Sequence, residues 1–486
     1  MLALIPVILS SLLVCFVLTP FFRDFFGFLG MVDKPDAFRK SHVRAVPRVG
    51  GIGLMTGYFV AFVSLAFGWW QGFIDPQDPS IRLVVRLSPA ILLIFLVGLY
   101  DDLRGLKPLP KLAGQFLAAT YASWAGIRLA HPAGYSGPAL AIDLIGILWL
   151  VLCANAFNLI DGLDGLATGV ALMASASILF SALIHHNPGL ALVITPLIGS
   201  LLGFLYYNFN PASIFLGDSG SLTIGFLLGC YGLMWNQHAH PGLGMVAPLV
   251  ALAFPVFEVA LSVFRRFLRD RPIFSSDKNH IHHRIQLLGL SHRNTALVLY
   301  GVAALVAVVA VLQTILEPRF ATVILLLLLA VAYLGFRTLR YPEFGILGKF
   351  LFAGGFRGTL RGNIHLLEYE ESLEAAQTIE QCWTVLRDTC REASFNYVSM
   401  RVHGRFFEDV LQPPEVATRR LHVTLSRSDE ATFGHDGRLG IQAMLIAPLA
   451  ERLQDKLSRF QPSTARFAPE ASTLEPAPAS RAAAAG

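Results

Sequence analysis

Residues 141–167 read AIDLIGILWLVLCANAFNLIDGLDGLA, an apolar run that ends in a polar loop. The run carries a single charge, Asp143, and approaches the ~20 apolar residues that an α-helix needs to cross a bilayer. It gives way to Asn158, Asp161 and Asp164, which are spaced three residues apart, with a glycine after each aspartate. This stretch predicts a membrane helix that ends, at the membrane boundary, in a cluster of side-chain oxygen atoms.

The composition extends that prediction to most of the chain. Of the 486 residues, 54% are hydrophobic and 15% are charged, against about 25% charged residues in soluble domains. Charge concentrates in the last third of the sequence, which excludes a wholly soluble, fibrous or disordered protein. We therefore predict a membrane-embedded domain at 1–337, a cytoplasmic α+β domain at 338–460, and a disordered tail rich in Ala, Pro and Ser at 461–486.

The fold expected for the first part is an α-helical polytopic membrane protein with about 11 transmembrane helices. The candidate spans are 2–22, 50–70, 84–100, 112–130, 141–157, 166–186, 190–207, 220–236, 245–264, 295–316 and 320–337. Basic residues concentrate in the loops after the first, third and ninth spans. By the positive-inside rule this predicts an N-terminus outside and a C-terminal domain in the cytoplasm. The same rule explains the net charge of +5, which does not indicate a nucleic-acid partner.

The C-terminal domain shows a mixed pattern of strands and helices. The predicted elements are strands at 364–370, 397–403, 421–426 and 441–446, a helix at 372–393, and an amphipathic stretch at 449–460. No catalytic constellation stands out in this domain. A sensor or regulatory module, a docking platform for further enzymes and a folding support are the three alternatives. The five cysteines show no disulfide or zinc spacing and are expected to be free and buried.

Five carboxylates stand in three short loops on the predicted cytoplasmic side: Asp101, Asp102, Asp161, Asp164 and Asp218. Ionisable groups at the ends of apolar helices are costly, so a cluster of five favours a functional site over solvated loop charges. Adjacent carboxylates repel, and such a pair holds either a proton or a cation between them. Lys111 lies close enough to the first pair to neutralise phosphate.

The oxygen-rich loops suit magnesium and phosphate. Carboxylate and amide oxygens, such as those of Asn158 and Asp218, are the hard ligands that Mg²⁺ prefers. The segment FLGDSGS at 215–221 could also bind phosphate with backbone amides at a helix N-terminus. Helix capping by Asp or Ser is the structural alternative for this segment, and both roles are compatible.

Two basic segments complete the candidate site. Residues 276–284 read SDKNHIHHR, where His280, His282, His283 and Arg284 suit hydrogen bonding to a diphosphate. Their spacing does not match the helical histidine pair of zinc proteases, so we favour that interpretation over zinc. Residues 39–51, RKSHVRAVPRVGG, contribute Lys40, His42 and Arg48. These are either substrate-binding groups or cytoplasmic anchors.

Taken together, these loops resemble the polyprenyl-phosphate N-acetylhexosamine-1-phosphate transferase family, which is glycosyltransferase family 4. The resemblance covers residues 1–337, rests most on Asn158 to Gly165 and on GDSG at 217–220, and places Glu258 where relatives often carry Asp. It implies Mg²⁺, with Mn²⁺ as the alternative ion, held by Asn158 and Asp218. The catalytic residues it implies are Asp101, Asp102, Asp161 and Asp164. The substrate-binding residues it implies are Lys40, His42, Arg48, Lys111, Asn155, His280, His282, His283 and Arg284.

The resemblance also implies a reaction and a location. A lipid phosphate, undecaprenyl phosphate, attacks the β-phosphorus of a UDP-N-acetylhexosamine and releases UMP, either directly or through a covalent aspartyl intermediate. UDP-GlcNAc is the default donor, and the step begins a cell-surface polysaccharide such as O-antigen or lipopolysaccharide. The expected setting is the bacterial inner membrane with the site on the cytoplasmic face. A monomer and a homodimer are both open.

Three other functions fit the sequence less well. Peptidoglycan-type phospho-MurNAc-pentapeptide transferases usually carry Pro before three successive histidines, whereas this chain has HIHH at 280–283. CDP-alcohol phosphotransferases need an Asp-Gly-x-x-Ala-Arg motif, and the sequence after Asp164 lacks it. A transporter would place its ionisable residues near the membrane midplane and show internal repeats, but here they lie at one edge.

Overall fold

The chain is described by a computed structural model that covers residues 4–33, 46–72, 77–129, 138–238, 250–268, 280–315, 356–411, 419–426, 429–435 and 441–460, with single positions 323, 326, 330 and 335. It forms two compact units, Met1–Tyr341 and Pro342–Gly486. The predicted span 320–337, apart from those single positions, and the predicted tail lie outside the described residues.

The first unit is helical. Its helices in chain order are α1 Leu4–Phe28, α2 Gly50–Trp70, α3 Pro79–Arg104, α4 Pro108–Ala125, α5 Ala139–Ile160, α6 Leu166–Ile184, α7 Pro188–Asn208, α8 Gly217–His238, α9 Ala253–Leu268, α10 Ile281–Leu287 and α11 His292–Ile315. Each of the first ten predicted spans coincides at least in part with a helix. Within the described residues, seven helices are long and apolar enough to cross a membrane: α1, α2, α3, α5, α6, α7 and α11. The multi-pass helical architecture is confirmed, while the count of eleven spans and their orientation stay predictions.

The helices of the first unit differ in how much of their surface is buried within the protein. In α7, 83% of the most apolar window is buried, whereas the corresponding figure for α1 is 22%. The two helices pack closely because Gly203 brings α7 against the backbone of α1; a Cβ at Gly203 would lie 2.6 Å from the Leu12 carbonyl oxygen. Close approach at small residues is the usual way that membrane helices associate. The apolar side chains exposed on α1, such as Leu13 and Val17, suit contact with lipid.

A short backbone ladder brings two distant loops together. Strand β1, Val32–Asp33, pairs antiparallel with β2, Val46–Pro47. Beyond β2, the Phe215 amide donates to the Pro47 carbonyl at 2.9 Å, and the Gly50 amide donates to the Phe215 carbonyl at 2.9 Å. The end of the basic loop is thereby held against the segment that leads into α8.

The second unit combines helices with an antiparallel sheet. Its elements are α12 Phe356–Ala375, α13 Ile379–Glu392, β3 Tyr397–Val402, β4 Arg405–Val410, β5 Arg419–Thr424, β6 Glu430–His435 and α14 Ile441–Ser458. The strand order is β4-β3-β6-β5. Alternate residues of the central strands, among them Val398, Met400 and Phe433, form one core with the helices.

Three predictions for this unit were wrong. The predicted strand 364–370 lies inside α12, where burial recurs with a helical period at Ile364, Tyr369 and Leu373. The predicted helix 372–393 is interrupted, because a capping box formed by Thr378 and Gln381 starts a new helix. The predicted strand 441–446 is the first part of α14, and the amphipathic stretch 449–460 continues that helix.

Two predicted strands are confirmed. Residues 397–403 correspond to β3, and residues 421–426 overlap β5. The sequence analysis missed β4 and β6. The unit thus has the expected α+β character with a different order of elements.

Candidate active site

Asp102, at the end of α3, holds the start of α8. Its Oδ1 accepts a hydrogen bond from the Asp218 amide at 2.7 Å, and its Oδ2 accepts from the Ser219 amide at 2.9 Å and from Ser219 Oγ at 2.6 Å. The side chain is fully buried. It therefore caps the N-terminus of α8 from a different helix and satisfies amides that have no partner within α8. Gly98, one turn earlier, lets α3 lie directly against this backbone.

Asp218 and Asp101 face two basic side chains. One oxygen of Asp218 accepts from Arg48 Nη2 at 2.6 Å, and the other accepts from Lys111. Asp101 Oδ2 lies 2.9 Å from Lys111 Nζ, and its other oxygen accepts from the Leu106 amide at 2.5 Å. Lys111 Nζ therefore lies between Asp101 and Asp218, which come from different segments, rather than between the adjacent pair Asp101 and Asp102 that the sequence suggested.

Amide side chains of α5 extend the cluster. Asn158 Oδ1 lies 3.4 Å from Lys111 Nζ, and its Nδ2 donates to Ser221 Oγ at 3.1 Å. One turn earlier, Asn155 Nδ2 donates to Gln115 Oε1 at 2.5 Å. Oxygens of Asp101, Asn158 and Asp218 thus converge on one positive atom, Lys111 Nζ. Carboxylate and amide oxygens are of the chemical type that Mg²⁺ prefers.

Residues 161–164 form a DGLD motif, and its two aspartates have different surroundings. Asp164 Oδ2 accepts from Asn210 Nδ2 and from the Ala212 amide, both at 3.0 Å, so it anchors the loop between α7 and α8. The Asp161 carboxylate has no hydrogen bond within the part of the chain that the structure describes. Burial, together with the nearby Asp218, raises the pKa of Asp161 well above its usual range, while the positive charge of Arg48 acts in the opposite direction.

The histidines form a stack beside this motif. The rings of His280 and His282 are nearly parallel with centroids 5.6 Å apart, and those of His282 and His283 are 4.2 Å apart. A Cβ at Gly162 would lie 3.1 Å from His282 Nε2, so the histidine segment borders the DGLD loop. Burial, with the nearby His283 and His280, lowers the pKa of His282 to about 3, so this ring is neutral at physiological pH.

The structure gathers most of the predicted residues and leaves a few outside. Lys40 and His42 lie outside the described residues. Arg284 follows the histidines on α10. The zinc alternative gains no support, because in the described ranges only His365, Glu368 and Glu392 of the second unit bring three such ligand atoms within 4.8 Å of one another.

Sequence reasoning missed several supporting residues. Gln115, which pairs with Asn155, lies four residues after Lys111 and so on the same face of α4, a spacing that could have revealed it. The sequence predicts phosphate binding by the backbone amides of 215–221. In the structure the Ser219 amide and hydroxyl donate to Asp102, and Ser221 Oγ accepts from Asn158. The role of Gly98 depends on the contact between α3 and α8, which no local sequence pattern indicates.

Comparison with known proteins agrees with this geometry. A family model described as "Glycosyl transferase family 4" matches residues 84–236. The chain is 32% identical over 319 residues to a "Probable undecaprenyl-phosphate N-acetylglucosaminyl 1-phosphate transferase" of Bacillus subtilis (strain 168), in a match that covers 64% of this chain and 85% of the relative. The chain belongs to glycosyl transferase family 4. The resemblance seen in the sequence is thereby confirmed.

Other relatives in glycosyl transferase family 4 carry similar names. The chain is 34% identical over 338 residues to a "Decaprenyl-phosphate N-acetylglucosaminephosphotransferase" of Mycobacterium tuberculosis (strain CDC 1551 / Oshkosh), which covers 63% of this chain and 81% of the relative. It is 27% identical over 303 residues to an "Undecaprenyl-phosphate alpha-N-acetylglucosaminyl 1-phosphate transferase" of Escherichia coli (strain K12), which covers 58% and 77% respectively.

The residues matched by the glycosyl transferase family 4 model include the whole acidic centre. All five clustered aspartates, together with Lys111, Asn155 and Asn158, lie between residues 84 and 236. The histidine segment follows this range. The second compact unit, Pro342–Gly486, also lies beyond it.

Proposed function

We propose that this chain transfers an N-acetylhexosamine-1-phosphate, with GlcNAc-1-phosphate as the default, from a UDP-sugar to a polyprenyl phosphate and releases UMP. The names of the bacterial relatives support the sugar and the lipid acceptor. Membership of glycosyl transferase family 4 supports the reaction class.

One observation carries the proposal: oxygens of Asp101, Asn158 and Asp218 converge on Lys111 Nζ, with Arg48 on the other side of Asp218. Both substrates are polyanions, so their approach needs positive charge at the point where they meet. Asp218 and Asn158 are hard ligands suited to Mg²⁺, with Mn²⁺ as the alternative, and the cation would offset charge on the diphosphate. Arg48 and Lys111 would then be available to phosphate oxygens.

The chemistry is a phosphoryl substitution. An oxygen of the lipid phosphate forms a bond to the β-phosphorus of the UDP-sugar, and the bond from that phosphorus to the oxygen bridging to the α-phosphate breaks, so that UMP leaves. Asp101, which contacts Lys111 and is not enclosed as Asp102 is, is suited to orient the attacking phosphate. Asp161 lies free of hydrogen bonds from the described residues and is suited to the donor nucleotide.

The proposed setting follows from the same residues. The acidic centre lies at the ends of apolar helices, where a lipid-linked phosphate at the membrane surface could meet a soluble nucleotide. We place this surface on the cytoplasmic side of a bacterial inner membrane, as the basic loops predict.

A UMP-release assay tests the function. The purified chain is incubated with undecaprenyl phosphate, Mg²⁺ and, one at a time, UDP-GlcNAc, UDP-GalNAc and UDP-MurNAc-pentapeptide. UMP release that requires both the lipid phosphate and one UDP-sugar is the expected result. A transporter would release none under these conditions, and release with UDP-MurNAc-pentapeptide alone would favour peptidoglycan-type transfer.

A substitution at Asp218 tests the proposed metal binding most directly. Replacing Asp218 with Ala removes one of the oxygens assigned to Mg²⁺, and UMP release should fall at least ~100-fold. The control is Asp143→Asn, an acid at the opposite end of α5, which should leave the rate unchanged. Near-normal UMP release by a folded Asp218→Ala protein would refute the metal role of this residue.

A further inference from the structure

Glu258 is a buried carboxylate inside an apolar helix. It lies in α9, whose sequence is AFPVFEVALSVFRRFL, and only 1% of its surface is exposed. A buried ionisable group in such a helix is costly unless other groups compensate for it. None of the roles assigned above to the acidic centre involves this residue.

Its partners lie at the start of the histidine segment. Glu258 Oε1 accepts hydrogen bonds from His280 Nδ1 at 2.9 Å and from the Ile281 amide at 3.1 Å. His280 is the N-cap residue of α10 but makes no side-chain cap. Glu258 therefore caps this helix from another element and fixes the ring at its first position.

The same contact sets the protonation of one ring atom. Glu258 Oε1 already accepts from the Ile281 amide, and its role as acceptor toward the ring as well assigns the hydrogen to the Nδ1 atom of His280. The remaining ring atom, Nε2, points away from Glu258 on the far side of the ring. A carboxylate behind a histidine commonly selects a tautomer and an orientation in this way.

The His280 ring, which Glu258 orients, lies close to the DGLD loop that is proposed to bind the donor nucleotide. His280 stacks on His282, and His282 Nε2 lies next to Gly162, directly after Asp161. The helix α9 is thereby linked through two rings to the DGLD loop. Any movement of His280 would disturb a stack of side chains that face this loop.

We propose that Glu258 is a positioning residue of the transferase, which holds His280 in the Nδ1–H form and fixes the histidine stack against the DGLD loop for binding the donor diphosphate. This inference rests on the proposed function. It assigns to Glu258 an action through His280 rather than a contact with substrate.

A double-mutant cycle tests whether the two residues act as one. UMP release is measured with the full-length chain for Glu258→Ala, His280→Ala and the double variant, with Asp143→Asn as the matched control. Each single variant should lower kcat/KM for the UDP-sugar about 10- to 100-fold, by analogy with the loss seen when a metal-bound histidine loses its carboxylate partner. The KM for the lipid phosphate should change less than about threefold.

The double variant decides the result. If Glu258 acts through His280, the double variant is no slower than His280→Ala alone, because coupled residues are not additive. Multiplication of the two losses would overturn the proposal. Glu258→Asp, which keeps a carboxylate, should recover part of the activity, whereas an equal loss in Glu258→Asp and Glu258→Ala would also contradict it.

A second readout does not depend on activity or on full removal of the side chain. Histidine ¹⁵N spectra of the full-length chain should show an Nδ1–H ring that is altered in Glu258→Gln, an isosteric variant chosen to preserve the fold. No change would overturn the tautomer assignment. If the wild-type chain released no UMP, the proposed function would fail, and these spectra would still decide on the contact between Glu258 and His280.

Discussion

Asp101 and Asp102 are neighbours in sequence, but the helix separates their roles. Successive residues of an α-helix point about 100° apart. Asp102 is consequently enclosed by hydrogen-bond donors at the start of α8, whereas Asp101 contacts Lys111 and the Leu106 amide. The Asp102 carboxylate holds α3 against the start of α8. The Asp101 carboxylate lies beside Lys111, which is proposed to bind substrate phosphate.

Asparagine variants should separate these two roles. In Asp102→Asn an amide NH₂ meets backbone donors, so the free energy of unfolding should fall by about 1–3 kcal/mol, the cost of unsatisfied buried groups. In Asp101→Asn the oxygen facing Leu106 is kept, so the thermal midpoint should stay near that of the wild type while kcat falls. Thermal unfolding and UMP release of both purified variants check this. A less stable Asp101→Asn protein would reverse the assignment.

His282 predicts an acid sensitivity of the fold. Its folded-state pKa of about 3 lies below the ordinary 6.5, so between these values the unfolded chain binds a proton that the folded chain does not. The stability contribution is complete above pH 6.5 and is lost as pH falls toward 3. At pH 5 the loss should be about 2 kcal/mol. Thermal midpoints at pH 7.5 and 5.0 should therefore differ less in His282→Asn than in the wild type, and equal differences would count against this explanation.

At the scale of elements, the site depends on how closely α3 approaches α8. A Cβ at Gly98 would lie 2.5 Å from the Asp218 carbonyl oxygen and 2.6 Å from Ser219 Cα. These are backbone atoms, so the two helices would have to separate. That separation would pull Asp102 away from the amides that it caps.

Gly98→Ala should accordingly lower both the thermal midpoint and UMP release, the latter by up to about 100-fold, the order expected when catalytic groups are displaced by about 1 Å. The matched control is Gly301→Ala in α11, where a Cβ has nothing within 4 Å. Alanine is the better helix former, so that variant should be as stable as the wild type or more so. Normal activity in Gly98→Ala would show that the contact adapts.

The elements differ in how far the sequence predicts them. Length and hydropathy place each of the first ten predicted spans at least partly on a helix, and α2 begins and ends at the predicted residues, Gly50 and Trp70. In the second unit the short apolar run from Ile364 fits either period, and the strand prediction failed because burial against other helices decides. The residues that the structure gathers at the candidate site are recognisable from their types. The partition between Asp101 and Asp102 was not, because it depends on contacts across more than 100 residues.

For the whole molecule, two compact units raise the question of which one performs the reaction. The described contacts of the acidic centre run from Arg48 to Ser221, and the histidine segment ends before residue 290; all of them belong to the unit Met1–Tyr341. The relatives match only about two thirds of this chain while covering most of their own length. The second unit has its own core of buried side chains.

A chain truncated after Tyr341 should therefore keep its transferase activity. We expect UMP release per mole of membrane-inserted protein within about threefold of the full-length value, because every residue assigned to the site is retained. Asp218→Ala introduced into both forms provides the background rate, and quantitative immunoblotting of membranes corrects for expression. A loss of more than tenfold at equal membrane content would mean that the second unit acts on the transferase, whereas an unchanged rate would leave that unit with a separate task.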